Sequence, residues 1–154
     1  MTHNLEARLN SYWPIALSVF RVMFGLLFLC HGLSTLIDWP APQAAPVGQW
    51  PHYYAGWIET ITGALITLGL FTRAAAFVAA GEMAFAYFTV HMPKGFFPIN
   101  NQGEAAVMFC FAFLLLLFAG GGTYALDARR GRLRSTVAPR RTGGWRSNRR
   151  RLRR

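Results

Sequence analysis

Hydrophobic residues along the chain fall into four long segments, which short connections rich in proline and glycine separate. The segments at residues 15–37 and 104–126 are each about 23 residues long, and a helix of roughly 20 residues crosses a bilayer. The segments at 53–71 and 73–91 are about 19 residues long and contain one glutamate each, so we expect them to span only as partners in a bundle. The pattern predicts an all-α fold, an integral membrane four-helix bundle, with a tight turn at 69–73 joining the second and third spans.

The charges that flank these segments predict the orientation of the chain. Cytoplasmic connections carry an excess of lysine and arginine. Arg8, Arg73 and an arginine-rich C-terminal tail all fall on one side of the predicted spans, whereas Lys94 falls on the other. We therefore expect a multi-pass protein of a bacterial plasma (inner) membrane, with both termini in the cytoplasm and a short N-terminal cytoplasmic arm at residues 1–14.

Charge separates the tail from the rest of the chain. The net charge is +10, yet residues 1–128 hold six acidic and four basic side chains, whereas residues 129–154 hold twelve arginines and no acidic residue. The basic charge thus belongs to the tail, which excludes a soluble nucleic-acid-binding domain as the main body, and nucleic acid is not an expected partner. We expect a disordered tail that binds anionic lipids; RNA binding and docking of a protein are the alternatives.

Three charged side chains lie inside the predicted spans, where an ionisable group is costly and turns toward the bundle interior. Arg21, Glu59 and Glu82 each share a helix face with glycine or alanine residues, which let helices approach closely. Helical rise places Arg21 roughly 9 Å and Glu82 roughly 14 Å from the cytoplasmic boundary. We therefore predict a buried ion pair between Arg21 and Glu82, with Glu59 as the competing partner. The pair is interpreted either as a structural lock or as a charged gate.

Polar side chains in the outer half of the bundle form a second group. A candidate ligand or proton pocket consists of five residues: His31, Glu59, His91, Glu104 and Asn100. Such groups bind a metal ion, relay protons or hydrogen-bond a quinone carbonyl. The two histidines and two glutamates come from four different helices without a local spacing motif, and Asn100 lies on the adjoining loop, so no metal site is predicted. On an ideal helical wheel His91 points away from Glu82, so one continuous face does not include both.

The two cysteines add little chemistry. Cys30 and Cys110 lie at similar predicted depths, so they are either a thiol pair or two small buried hydrophobic side chains. The sequence contains no Cys-x-x-Cys motif, dinucleotide fingerprint or phosphate-binding loop. It therefore predicts no redox cofactor held by this chain itself.

Several of these segments together resemble one known family. They are FRVMFGLLFLCHGLSTL in the first span, the turn GLFTR at 69–73, HMPKGFFPINNQGE at 91–104 and GGGTYALD at 120–127. Over about residues 15–128 the chain resembles the DoxX family of small four-helix bacterial membrane proteins. One position departs from the family, which often has a lysine near the end of the first span, where this chain has Thr35.

The resemblance implies a membrane subunit of an oxidoreductase system, since family members are linked to quinol oxidase, to thiosulfate-to-quinone electron transfer or to oxidative-stress complexes. A quinone and a redox-enzyme partner are then expected, whereas a homo-oligomer is expected for a solute pathway, because four short helices leave little room for a pore within one chain. In the pocket, His31 and His91 would hydrogen-bond the ligand while Glu59 and Glu104 exchange protons. A non-catalytic scaffold or assembly protein is the alternative, and a small-solute pathway in an oligomer is a third hypothesis.

Overall fold

The computed structural model describes residues 2–129, with side chains from Leu5 onward, and the rest of the predicted tail lies outside the described residues. The described part is helical and contains no β-strand, which confirms the all-α prediction. Its helices are α1 (Thr2–Ile37), α2 (His52–Leu68), α3 (Thr72–Ala86), α4 (Pro98–Asn101) and α5 (Glu104–Ala119). A π-helical turn (Tyr87–His91) and a 3₁₀ turn (Met92–Lys94) continue α3.

Two helix boundaries differ from the sequence predictions by more than a few residues. Helix α1 begins at Thr2 and continues through Pro14, so the residues expected to form a separate arm belong to the first helix. At 36 residues it is about 54 Å long. Helix α5 ends at Ala119 instead of residue 126, because Gly120 has a positive φ of 79° and directs the chain out of the helix.

The first two helices pack with their main chains in direct contact. Gly25 and Gly32 of α1 face Gly56 and Gly63 of α2, and both pairs are seven residues apart. A Cβ atom added at Gly63 would lie 2.6 Å from the backbone nitrogen of Leu29. One added at Gly25 or Gly32 would be about as close to the backbone nitrogen of the facing threonine, and one at Gly56 would lie 3.0 Å from side-chain atoms of Thr35. The glycine stripes that the sequence placed beside Arg21 and Glu59 are therefore the α1–α2 interface.

The other long pair, α3 and α5, packs through alanine side chains. Ala76 and Ala79 of α3 are fully buried, and α3 also contacts α2. Phenylalanine rings fill the space between α1 and α5: the ring centroid of Phe28 lies 4.7 Å from that of Phe113 and 5.3 Å from that of Phe109. The interior is thus built from glycine, alanine and aromatic rings.

The outer surface of the long helices is strongly apolar. Large side chains on α1, α3 and α5 are more than half exposed, among them Met23, Phe77 and Phe118. Two helical segments, Leu5–Ile37 and Thr72–Lys94, are long and apolar enough by themselves to cross a membrane. An exposed apolar surface of this extent is typical of a protein that is surrounded by lipid.

Two charged side chains close the end of the molecule at the α2–α3 turn. Buried Arg21 donates hydrogen bonds to the carbonyl oxygens of Ile66 and Thr67, which end α2, and to that of Gly121 at 3.0 Å. The carboxylate of Asp127 accepts the backbone N–H groups of Phe71 and Thr72 at 2.9 Å. A cation at a helix C-terminus and an anion at a helix N-terminus both stabilise the helix dipoles.

The structure therefore corrects the predicted ion pair between Arg21 and Glu82. Arg21 is directed to backbone carbonyls at the turn end, and the described residues contain no ion pair between it and either glutamate. The physical reason is that carbonyl oxygens at a helix C-terminus lack intrahelical partners, and a guanidinium group satisfies several of them at once.

Candidate functional site

A cavity of about 210 Å³ lies between α1, α2, α3 and α5, at the end of the molecule opposite the α2–α3 turn. Its ionisable lining residues are His31, His52, Glu59, Glu82 and His91. Its apolar walls include Phe28, Met83, Phe85, Val90 and Phe109. A mostly apolar pocket with a few convergent polar groups is the usual form of a small-molecule site.

The two acidic groups of the cavity, Glu59 and Glu82, are poorly solvated. Glu59 is 9% exposed. The Oε2 atom of Glu82 is buried and, among the described residues, has no hydrogen-bond partner. No lysine or arginine of the described residues lines the cavity. Because nearly all buried polar atoms in proteins are hydrogen-bonded, an exception at a cavity wall indicates a group available to a ligand or a proton.

The π-helical turn brings His91 and Glu82 to the same cavity. The sequence analysis assumed a regular α-helix, in which the two side chains point in opposite directions, and that inference is wrong. A π-helical residue turns the chain through a smaller angle than an α-helical one, so five of them rotate His91 by roughly a quarter of a turn. Pro93 was the available signal, since proline disrupts the regular hydrogen bonds of the preceding turn.

A buried asparagine next to the cavity fixes the position of His91. The Nδ1 atom of His91 lies 3.1 Å from the backbone carbonyl oxygen of Asn101. Asn101 is 1% exposed, whereas the predicted pocket residue Asn100 is exposed and does not line the cavity. The sequence analysis thus selected the neighbour of the residue that contacts the site.

Other predicted site residues have mixed outcomes. His31 lines the cavity, and its ring packs edge-on against Phe109 with centroids 5.7 Å apart. Glu104 lies outside the lining, exposed in the first turn of α5, where an acidic group stabilises the helix dipole. His52 and Glu82 line the cavity but were not assigned to the pocket. The position of His52 at the outer start of the second span was the signal for it.

The positions of the His, Cys, Asp and Glu side chains among the described residues do not support a metal site or a thiol pair. Across the described part of the chain, no group of three or more His, Cys, Asp or Glu side chains is placed to share a metal ion. Cys30 and Cys110 are free thiols, each half-buried in its helix.

Comparison with known proteins identifies the family. The chain matches the DoxX family over residues 16–92, from the first span to the end of the π-helical turn. A protein of Haemophilus influenzae (strain ATCC 51907 / DSM 11121 / KW20 / Rd), described as an uncharacterized protein, is 40% identical over 125 residues. That alignment covers 77% of this chain and 93% of the relative. No solved structure matches the chain. The protein with this cavity is a membrane protein of the DoxX family.

Proposed function

We propose that this protein is a quinone-binding membrane subunit of an oxidoreductase system. The observation that carries the proposal is the cavity, which three histidines and two glutamates line together with phenylalanine walls. A quinone head group has the matching chemistry: a flat apolar ring with two oxygen atoms that accept hydrogen bonds, or donate them after reduction.

The dimensions of the cavity fit such a ring. A cavity of about 150 Å³ in another protein holds benzene, so 210 Å³ accommodates one substituted six-membered ring. Phe85 of the cavity wall is 47% exposed on the outer surface of α3, where an apolar tail would continue into lipid.

The described residues supply proton-exchanging groups, and the electrons come from elsewhere. Reduction of a quinone to a hydroquinone consumes two electrons and two protons. In this proposal a redox enzyme bound to the subunit supplies the electrons, and Glu59, Glu82 and the histidines transfer the protons. A partner enzyme is therefore part of the proposal, as the family resemblance implied.

We further infer that α1, α2, α3 and α5 all cross the plasma membrane, with both termini in the cytoplasm and the cavity toward the outside. At about 26 Å and 24 Å, α2 and α5 are slightly shorter than the hydrocarbon core of about 30 Å, and they depend on the longer helices as partners. Arg8, Arg73 and Arg129 all lie at the proposed cytoplasmic end.

Labelling of single cysteines tests this topology. In a variant with Cys30 and Cys110 replaced by alanine, we expect Gln49→Cys to react with a membrane-impermeant maleimide in intact cells, since it lies in the loop on the cavity side. Thr123→Cys, exposed at the opposite end, should react only after permeabilisation. Reaction of Thr123→Cys in intact cells would contradict the orientation.

Quinone binding is measurable through the native tryptophans. Trp50 lies against Phe85 of the cavity wall, with ring centroids 6.4 Å apart, so we expect decylubiquinone to quench tryptophan fluorescence of the protein in nanodiscs. Glu82→Gln should weaken binding about tenfold, which corresponds to ~1.4 kcal/mol. Its thermal stability should be unchanged or higher, because the buried oxygen of Glu82 has no partner to lose among the described residues.

The matched control is Glu104→Gln, which makes the same change on an exposed side chain outside the cavity. It should bind decylubiquinone as the unmodified protein does. If the unmodified protein is folded and shows no saturable quenching, or if both variants bind equally well, the quinone site is wrong. A scaffold or assembly role then replaces it.

A further inference from the structure

We infer that Asn101 is a positioning residue that holds His91 in the tautomer whose Nε2 accepts hydrogen bonds. The cavity is then built for a ligand that presents an O–H or N–H donor to His91. The inference rests on the proposed function of the cavity, and it specifies which form of the ligand the cavity selects.

The amide of Asn101 is satisfied at both of its ends. Its Nδ2 donates to the carbonyl oxygen of Gly95 at 2.6 Å, and its Oδ1 accepts the backbone N–H of Gly103 at 2.8 Å. If the amide were rotated by half a turn, its Nδ2 donor would face the N–H donor of Gly103, and its Oδ1 acceptor would face the carbonyl acceptor of Gly95. An asparagine side chain in this one orientation therefore connects both sides of the loop that follows His91.

This loop is pressed against the π-helical turn. A Cβ atom at Gly103 would lie 2.9 Å from Cδ2 of Tyr87 and 3.0 Å from Cβ of His91, so the loop leaves no room for a side chain there. The hydroxyl of Tyr87 donates to the carbonyl oxygen of Phe96, which fixes the far side of the loop. The backbone carbonyl of Asn101 is thereby held 3.1 Å from Nδ1 of His91.

A carbonyl oxygen can only accept a hydrogen bond, so Nδ1 of His91 must carry the proton. In a neutral imidazole the other ring nitrogen, Nε2, is then an acceptor. The same second contact sets the tautomer of many histidines whose free nitrogen meets a ligand. His91 lines the cavity, so a ligand that reaches its Nε2 atom meets an acceptor and not a donor.

Because Nε2 of His91 accepts a hydrogen bond, the cavity favours the form of the ligand that can donate one. A hydroquinone hydroxyl can donate to Nε2 of His91, whereas a quinone carbonyl has no hydrogen to give. The carboxyl groups of Glu59 and Glu82 each offer a further acceptor oxygen, in either protonation state. The reduced, hydroxyl-bearing form of the ligand should therefore bind more tightly than the oxidised form.

Solid-state NMR of ¹⁵N-histidine-labelled protein in lipid bilayers reads the tautomer directly. The His91 signals are assigned by their loss in His91→Gln. In the unmodified protein at a pH where His91 is neutral, we expect Nδ1 to be protonated and Nε2 to be unprotonated. In Asn101→Ala the Nε2-protonated form should become substantial, while Asn100→Ala, a change at the exposed neighbouring residue, should leave the spectrum unaltered.

A second measurement compares decylubiquinol with decylubiquinone as fluorescence-quenching ligands. We expect the reduced form to bind the unmodified protein at least threefold more tightly, and we expect this ratio to approach one in Asn101→Ala. The inference is overturned if Nε2 of His91 is protonated in the unmodified protein, or if the ratio of the two affinities is the same in the unmodified protein and in Asn101→Ala. Neither result would contradict quinone binding itself. A protonated Nδ1 together with no binding of either form overturns the proposed function and leaves the positioning of His91 standing.

Discussion

Gly63→Leu is expected to prevent α1 and α2 from packing and to cause one of the largest losses of stability in the chain. A side chain at this position would meet main-chain atoms of Leu29 at 2.6–2.9 Å, and backbone cannot move aside as a flexible side chain can. Overpacking of this kind costs about 3 kcal/mol or more. In detergent or nanodiscs the midpoint of thermal unfolding should fall by at least about 10 °C, or the protein should fail to accumulate.

The same substitution at Gly81 is the matched control. Gly81 lies on an exposed face of α3, and a Cβ atom there has no neighbour within 4 Å among the described residues. Gly81→Leu should therefore retain or raise the unfolding midpoint, since leucine also has the higher helix propensity. Equal losses for both variants would show that the glycine contacts between α1 and α2 do not determine stability.

Arg21→Met is expected to destabilise the protein by about 3–5 kcal/mol, because the carbonyl groups at the end of α2 and that of Gly121, which follows α5, lose their shared donor. The measurement is again the unfolding midpoint, and Arg8→Met provides the control as an exposed arginine of the same helix. Arg8→Met should change the midpoint by no more than a small surface substitution does.

A double variant separates this arrangement from the ion pair that the sequence suggested. If Arg21 neutralised Glu82, then Arg21→Met combined with Glu82→Met would recover stability, because both charges would be removed together. Since Arg21 donates its hydrogen bonds to backbone carbonyl oxygens, we expect the second substitution not to restore stability. The two effects should add within about 0.5 kcal/mol, and a clear recovery would show that the charges interact directly.

Much of the fold was predictable because lipid-compatible helices leave a simple pattern. The lengths of the apolar segments located the four long helices, and small residues beside the charges located the tight α1–α2 contact. The boundaries were less predictable. Polar residues before Pro14 look like a separate arm, yet they continue α1, and the glycines from Gly120 end α5 earlier than hydrophobicity alone indicates.

The candidate site was only partly predictable, for two physical reasons. A helical wheel assumes a constant rotation per residue, and the π-helical turn before Met92 changes that rotation, which brings Glu82 and His91 together. The sequence analysis paired charged side chains by their estimated depth in the membrane, whereas Arg21 donates its hydrogen bonds to main-chain oxygens. Main-chain oxygens are present at every residue, so the sequence pattern does not reveal which of them will be partners. For the same reason the backbone contact from Asn101 to His91 left no trace in the pattern.

The glycine contacts also distinguish two parts of the molecule, the α1–α2 pair and the α3–α5 pair. Helices α1 and α2 meet through main-chain atoms, so this pair cannot widen without losing its packing. Between α1 and α5 the contact is made by phenylalanine rings, with centroids 4.7–5.3 Å apart, and not by main-chain atoms. The cavity lies on this seam, with walls from both parts. A guest larger than the resting space would therefore have to displace the ring contacts, because the glycine contacts between α1 and α2 leave no space to give way.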